Sequence, residues 1–324
     1  LLGLQVVQES TDRTLQERLV IAQVTAYRVD DLLRRTTEIL QAMVNEAALD
    51  PERPTLPTNG QALHTMRDHL GDLVHYVALV NRQGIVVWSE PDIEGVVGSD
   101  LSSGNCVRKV LGGADPMITK VFTLGKTAPA AALLVGVKGS DGVVTSLVYA
   151  AINLGYPSIA GILKPLGLGK TGYAEIVDEN GVILASTWPD RLWQKGDHGD
   201  HFATLIREDR ITVGTCHDCH STANSLERRQ DVMAFAPLAM APWGVAVRQS
   251  QEEALAYSQT LERRLLRFGV GAFLVASICT WLATRRLLKP LQTLAGACQR
   301  IAAGDLAQPI PPVGSGEIKA LARS

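Results

Sequence analysis

Apolar or small residues recur at alternating spacings of four and three from Leu15 through Leu19, Ala22, Ala26, Val29, Leu33, Thr36, Leu40 and Met43 to Ala47. This is a heptad seam, and it predicts one long helix over residues 11–50. Asp50-Pro51 is its expected end, because the residue before proline avoids the helical region. Some 38 helical residues at 1.5 Å each would be about 57 Å long, more than one small domain needs. The seam therefore reads either as a spine under neighbouring modules or as a dimer seam, and both can hold.

Period-two apolar runs come next, and they repeat. Tyr76 to Ser89 reads YVALVNRQGIVVWS, and Tyr173 to Ser186 reads YAEIVDENGVILAS, at a constant offset of 97. Each is an apolar run, a turn with Gly84 or Gly181 at its tight position, and a second apolar run, which predicts a hairpin. Later strand candidates also pair: Ala131–Val137 with Gly142–Ile152, and Val232–Pro237 with Trp243–Arg248. Each copy thus predicts an antiparallel sheet with helices and loops inserted between its two hairpins.

Near the C-terminus the pattern changes again. Phe268 to Thr284 is 17 residues without a charge. With Leu265, Leu266 and a snorkelling Arg267 the stretch reaches 20, enough to cross about 30 Å of hydrocarbon. Arg263, Arg264 and Arg267 flank one end and Arg285, Arg286 and Lys289 the other, so charge alone does not orient it. Leu1 to Val7 is short and apolar, and residues 1–10 fit the end of a first membrane helix.

Composition narrows the classes. The 324 residues suit two domains, and 46% hydrophobic with 20% charged residues excludes a disordered chain. A net charge of −2 provides no basic field for nucleic acid. Five cysteines are too few for a disulfide scaffold. No Ser-His-Asp or paired-carboxylate arrangement is visible, so no enzyme is expected in this chain.

The long helix, the two hairpin-opened modules, the phrase GLGKTGYAEIVDENG and the exit phrase APWGVAVRQSQEEAL together resemble a double Cache sensor domain over residues 11–258. Lys289-Pro290-Leu291, then Leu294, Cys298 and Ile301, Gly304-Asp305-Leu306, and Gly316-Glu317-Ile318 with Leu321 resemble a HAMP linker that stops at Ser324. The resemblance implies an α+β fold: a long N-terminal helix, two PAS-like antiparallel-sheet modules, a transmembrane helix and partial HAMP helices. It divides the chain into a stalk at 11–50, a membrane-distal module at 51–157, a membrane-proximal module at 158–250, a helix at 251–286 spanning the membrane at 265–284, and the linker from 287. It implies a bacterial inner-membrane receptor with residues 10–260 outside, HAMP in the cytoplasm, a homodimer, and a kinase, chemotaxis or cyclase output beyond this chain.

One motif carries chemistry. Cys216, Cys219 and His220 form C-x-x-C-H, the spacing by which two thiols add to the haem vinyl groups and the histidine ligates iron. By the 97-residue offset it falls between the hairpins of the second module. His201 is the candidate distal ligand, His198 the reserve, with Met233, Met240 and His217 weaker. The competing readings are tetrahedral zinc on the same cysteines and His220 with one more histidine, a disulfide, or a site without function. The expectation is a sensor of redox state or of a small gas through haem c. The alternative is a small-molecule receptor with zinc or no metal at the motif. The first module shows no clear aromatic, Arg and Asp set for binding amino acids. Gly167 to Thr171 lacks the first glycine of a phosphate loop, since Lys164 stands there. His64, His69 and His75 read as solvated or core positions, Cys106 and Cys298 as isolated small residues, and Cys279 as part of the membrane helix.

Overall fold

The computed structural model describes residues 2–303 apart from 54–55, 115, 125–126, 128, 155–156, 165, 197 and 217–229. Two compact units divide the chain. One is Glu9–Ala256; the other takes in Leu1–Gln8 and the chain from Tyr257 onward.

The first unit is built on α1 (Leu2–Glu46). Its seam is turned inward: Ala22, Ala26, Val29, Leu33 and Leu40 are buried in one cluster with residues from both modules. Among the two sequence readings, the seam serves as a spine. A second stripe, Val20, Val24 and Tyr27, stays exposed at 53%, 46% and 67%. The helix stops at Glu46, short of Asp50, because Asp50 is used by the following turn. Its carboxylate accepts the N–H groups of Glu52 and Arg53 at 3.1 and 3.2 Å, and Asn59 ties both sides of the turn.

The distal module follows as α2 (Pro57–Leu70), β1 (Val74–Val80), β2 (Val86–Glu90), α3 (Asn105–Leu111), β3 (Met117–Ile118), β4 (Ala131–Lys138) and β5 (Val144–Ile152). The proximal module repeats the plan with α4 (Pro157–Leu163), β6 (Tyr173–Asp178), β7 (Ile183–Ser186), α5 (Gly199–Arg207), β8 (Thr212–Cys216), β9 (Asp231–Pro237) and β10 (Trp243–Ser250). Both sheets are antiparallel and five-stranded, in the orders 2-1-5-4-3 and 7-6-10-9-8. The paired hairpins sit as expected; β3 and β8 are edge strands that the apolar pattern did not reveal.

Alternation within each strand splits the core. Val77 and Leu79 of β1, and Val245 and Val247 of β10, face the cluster shared with α1. Tyr76, Ala78 and Val80 face a distal cluster under α3, while Val177, Phe235 and Ala246 face a proximal one under α5.

The repeated turns share one chemistry. Asn81 Oδ1 accepts from the backbones of Gln83 and Ile85, and Asp178 Oδ1 from those of Asn180 and Val182. Gly84 and Gly181 have φ of +85° and +78°, and a Cβ there would lie 2.8 Å from Ser102 Cα and 2.2 Å from Gly199 Cα. Glycine is thus required by conformation and by close approach.

After β10 come α6 (Gln251–Ala254) and α7 (Ala256–Ala302). Within α7, Thr260–Arg286 is long and apolar enough to cross a membrane. Phe268, Phe273, Val275 and Trp281 are all more than half exposed, so this surface asks for lipid. Arg285 lies 4.1 Å over the Trp281 ring, a pair suited to the membrane–water interface.

Candidate functional site

Three places in the two modules bear on function. In the proximal module, α5 is seated by Gly199 against Gly181, and Phe202 stacks on Phe235 with centroids 5.0 Å apart. His198 precedes the helix and His201 is exposed in its first turn; both rings lie beside Phe202, at 6.1 and 6.3 Å. This is the end of the sheet where Asp178 pairs with Trp243. Cys216 ends β8 at the other end, opposite Asp231, which pairs with Ser250. Phe202, beside which both histidine rings lie, stacks on Phe235, and Phe235 pairs with Thr212 of β8, the strand that ends at Cys216. Met233 is on β9, the strand next to β8. It is half-buried, pairs with Gly214, and a Cβ at Gly214 would meet nothing within 4 Å among the described residues. Met240 packs against the cluster shared with α1, and its backbone N–H donates to Asp30. His217, Cys219 and His220 lie outside the described residues. Among the described residues, no three His, Cys, Asp or Glu side chains group to hold a metal.

The same sheet carries a buried polar cluster. Glu175 of β6 is 1% exposed and accepts a bond from Arg191 Nε at 2.6 Å. Arg248 of β10 is 2% exposed; its Nη1 donates to the Tyr173 hydroxyl at 3.1 Å, and its Nε has no partner among the described residues. Tyr173 stacks on Trp188 at 4.5 Å, with the Arg191 and Arg248 guanidinium groups 5.3 and 6.0 Å from its ring. Burial pushes the Tyr173 phenol up, partly opposed by Arg248.

In the distal module a cavity of about 430 Å³ opens between the first turn of α3 and the strand-to-strand loop after β3, bounded by Asp100, Asn105, Cys106, Lys120 and Phe122. Phe122 meets Tyr149 edge-on, and Tyr149 stacks on Tyr76, both at 5.8 Å. Lys120 is ion-paired to Glu179 of the proximal hairpin, which raises its pKa. Asp100 is held low by its hydrogen bonds from Ser102. The lining holds one aromatic ring, Phe122, with Asp100 and Lys120 but no arginine, and Cys106 is part of the wall.

The Cache domain family matches residues 4–258, and the HAMP domain family matches residues 282–324. The chain belongs to the Cache domain family. Among proteins with curated descriptions, none matches its sequence. Solved structures do. The ligand-binding domain of the Pseudomonas fluorescens chemoreceptor CtaA in complex with L-leucine has a TM-score of 0.54 at 13% identity, over 77% of this chain and 99% of that one. The ligand-binding domain of the Pseudomonas aeruginosa PAO1 amino acid chemoreceptor PctB in complex with L-arginine has 0.53 at 15%, over 75% and 90%. An extracellular ligand binding receptor from Desulfohalobium retbaense DSM5692 has 0.50 at 13%, over 74% of this chain and 39% of that one. At these identities the likeness is one of fold.

As a Cache domain joined to a HAMP domain through a candidate membrane helix, the chain is the sensor region of a transmembrane receptor. The buried Cache cluster around Arg248 was missed from sequence. Its signal was present: YAEIVD and GVAVRQS are apolar strands that place one charge each at an inward position.

Proposed function

We propose that this Cache receptor senses redox state or a small gas through a c-type haem bound to Cys216 and Cys219, with His220 as the proximal iron ligand. The observation that supports this is the C-x-x-C-H motif, whose first cysteine ends the edge strand β8 of an otherwise regular Cache sheet. Two thiols and a histidine at this spacing fit the group, and Met233 offers a further soft donor. The haem would supply an iron centre that changes oxidation state and takes diatomic ligands. The chain's own residues position and relay. The cysteines fix the attachment edge, and His201, with His198 in reserve and Met233 on the neighbouring strand β9, is the candidate for sixth ligand. β10 then leads through Ser250 directly into α6 and α7. A second copy of the chain packed along Val20, Val24 and Tyr27 completes the receptor. The topology that goes with it is an extracytoplasmic Cache domain, an inner-membrane span and a cytoplasmic HAMP.

The absorption spectrum of the protein made in cells with haem-attachment machinery tests the reading. Colour that stays with the denatured polypeptide in alkaline pyridine is the expected outcome. Replacing Met233, His201 and His198 singly by alanine then identifies the sixth ligand as the one whose loss changes the spectrum. A colourless protein from such cells, above all one holding zinc, sinks the haem reading. The distal cavity favours a second reading, a small organic ligand bounded by Asp100 and Lys120. Related folds solved with L-leucine and L-arginine make amino acids the first compounds to try.

A further inference from the structure

A guanidinium sealed from water needs acceptors, because an unmet buried donor costs its full desolvation. Among the described residues, Arg248 has them only in part. Its Nη1 reaches the Tyr173 hydroxyl, its Nε is orphaned, and the nearby buried acid, Glu175, is already paired with Arg191. The faces of Tyr173 and Phe202, 6.0 and 5.4 Å from the guanidinium carbon, offer only cation–π attraction. A buried guanidinium with an unused N–H, beside aromatic rings, suits an anion with an apolar body.

We infer that Arg248 and the Tyr173 hydroxyl form an anchor for a carboxylate on the inner face of the proximal module. One unused guanidinium N–H suits one acid group, with Phe202 and Trp188 beside the carbon skeleton. Guanidinium forks match carboxylates in shape as well as charge. The carboxylate has two possible sources, a free small organic acid or a propionate of a haem held in the same module. The second rests on the haem reading; the first does not.

The test uses the full chain in detergent. In a Cys216→Ala/Cys219→Ala form, which cannot attach haem, acetate and benzoate are titrated by calorimetry. If the source is free acid, one of them binds, Arg248→Gln weakens it about 30-fold or more, and Tyr173→Phe weakens it several-fold. Lys120→Ala, in the distal cavity, leaves it unchanged. If the source is a propionate, neither acid binds, and in the coloured wild-type background Arg248→Gln lowers the haem reduction potential by removing a nearby cation. Arg248→Lys, which keeps charge but not the fork, guards against misfolding. It should melt like wild type and show an intermediate effect in whichever arm responds. The anchor is overturned if acid binding follows Lys120 instead of Arg248. It is overturned equally if neither acid binds and the protein is colourless, or coloured with a potential indifferent to Arg248→Gln. A colourless protein that binds acetate or benzoate through Arg248 loses the haem reading and keeps the anchor.

Discussion

Glu253 shows how one side chain can fix the point where the chain leaves the proximal sheet. Its carboxylate accepts the backbone N–H groups of Lys170 and Thr171 at 2.8 and 2.9 Å, and also the Thr171 hydroxyl. Gly169, at φ +74°, folds the chain over it, and a Cβ there would lie 2.4 Å from Glu253 Oε1. The Gly167 to Thr171 segment is thus a nest already filled by the chain's own anion, which is why its likeness to a phosphate loop comes to nothing. The Thr171 hydroxyl, followed by the two N–H groups, lowers the Glu253 pKa from 4.5 to about 2. A depressed acid adds stability that is complete above its unfolded value and fades as pH falls through its folded one. The contribution should be constant above about pH 4.5 and vanish towards pH 2. Melting temperature followed across this window should fall more steeply for wild type than for Glu253→Gln. Parallel curves would mean that the contact is not formed in solution.

At the scale of elements, α1 decides whether the two modules behave as one. Leu33 is 2% exposed, in a cluster that includes Val77 of the distal sheet and Val245 of the proximal sheet. Leu33→Ala removes a core side chain with little room to collapse, at a cost of about 2–5 kcal/mol. Because both sheets rest on the same helix, hydrogen exchange in β1 and in β10 should accelerate together. Acceleration in one sheet alone would make α1 a support of that module only. This spine was legible in the sequence, since a four-three seam is a local pattern. So were the hairpins, whose turn residues Asn81, Gly84, Asp178 and Gly181 act within a few positions of one another. The short edge strands β3 and β8 were not, because their pairing is decided by β4 and β9 and not by their own composition. The Cys216 motif was readable as chemistry, but its relation to His201 was not. That depends on how α5 sits on Gly181, a contact between residues with no shared local signal. The cluster at Arg248 failed for the same reason: Tyr173, Glu175, Arg191 and Arg248 meet across two strands and a loop.

At the scale of the whole receptor, the proposed second copy would meet the outward stripe of α1, because its seam is turned inward. Val20, Val24 and Tyr27 keep the four-three spacing and remain 46–67% exposed. Three such positions on one helix face bury little by themselves, but two copies of the stripe would meet as facing knobs and holes. A charge at the centre of that seam opposes its own copy while costing the monomer little, since exposed substitutions usually change stability by no more than about 0.5 kcal/mol. Val24→Asp should therefore melt like wild type yet run as a monomer in detergent where wild type runs as a dimer. Leu33→Ala should do the reverse, losing stability without a direct effect on the seam. A Val24→Asp protein that stays dimeric would move the interface off this stripe. A wild type that is already monomeric would remove the second copy from the receptor's resting form.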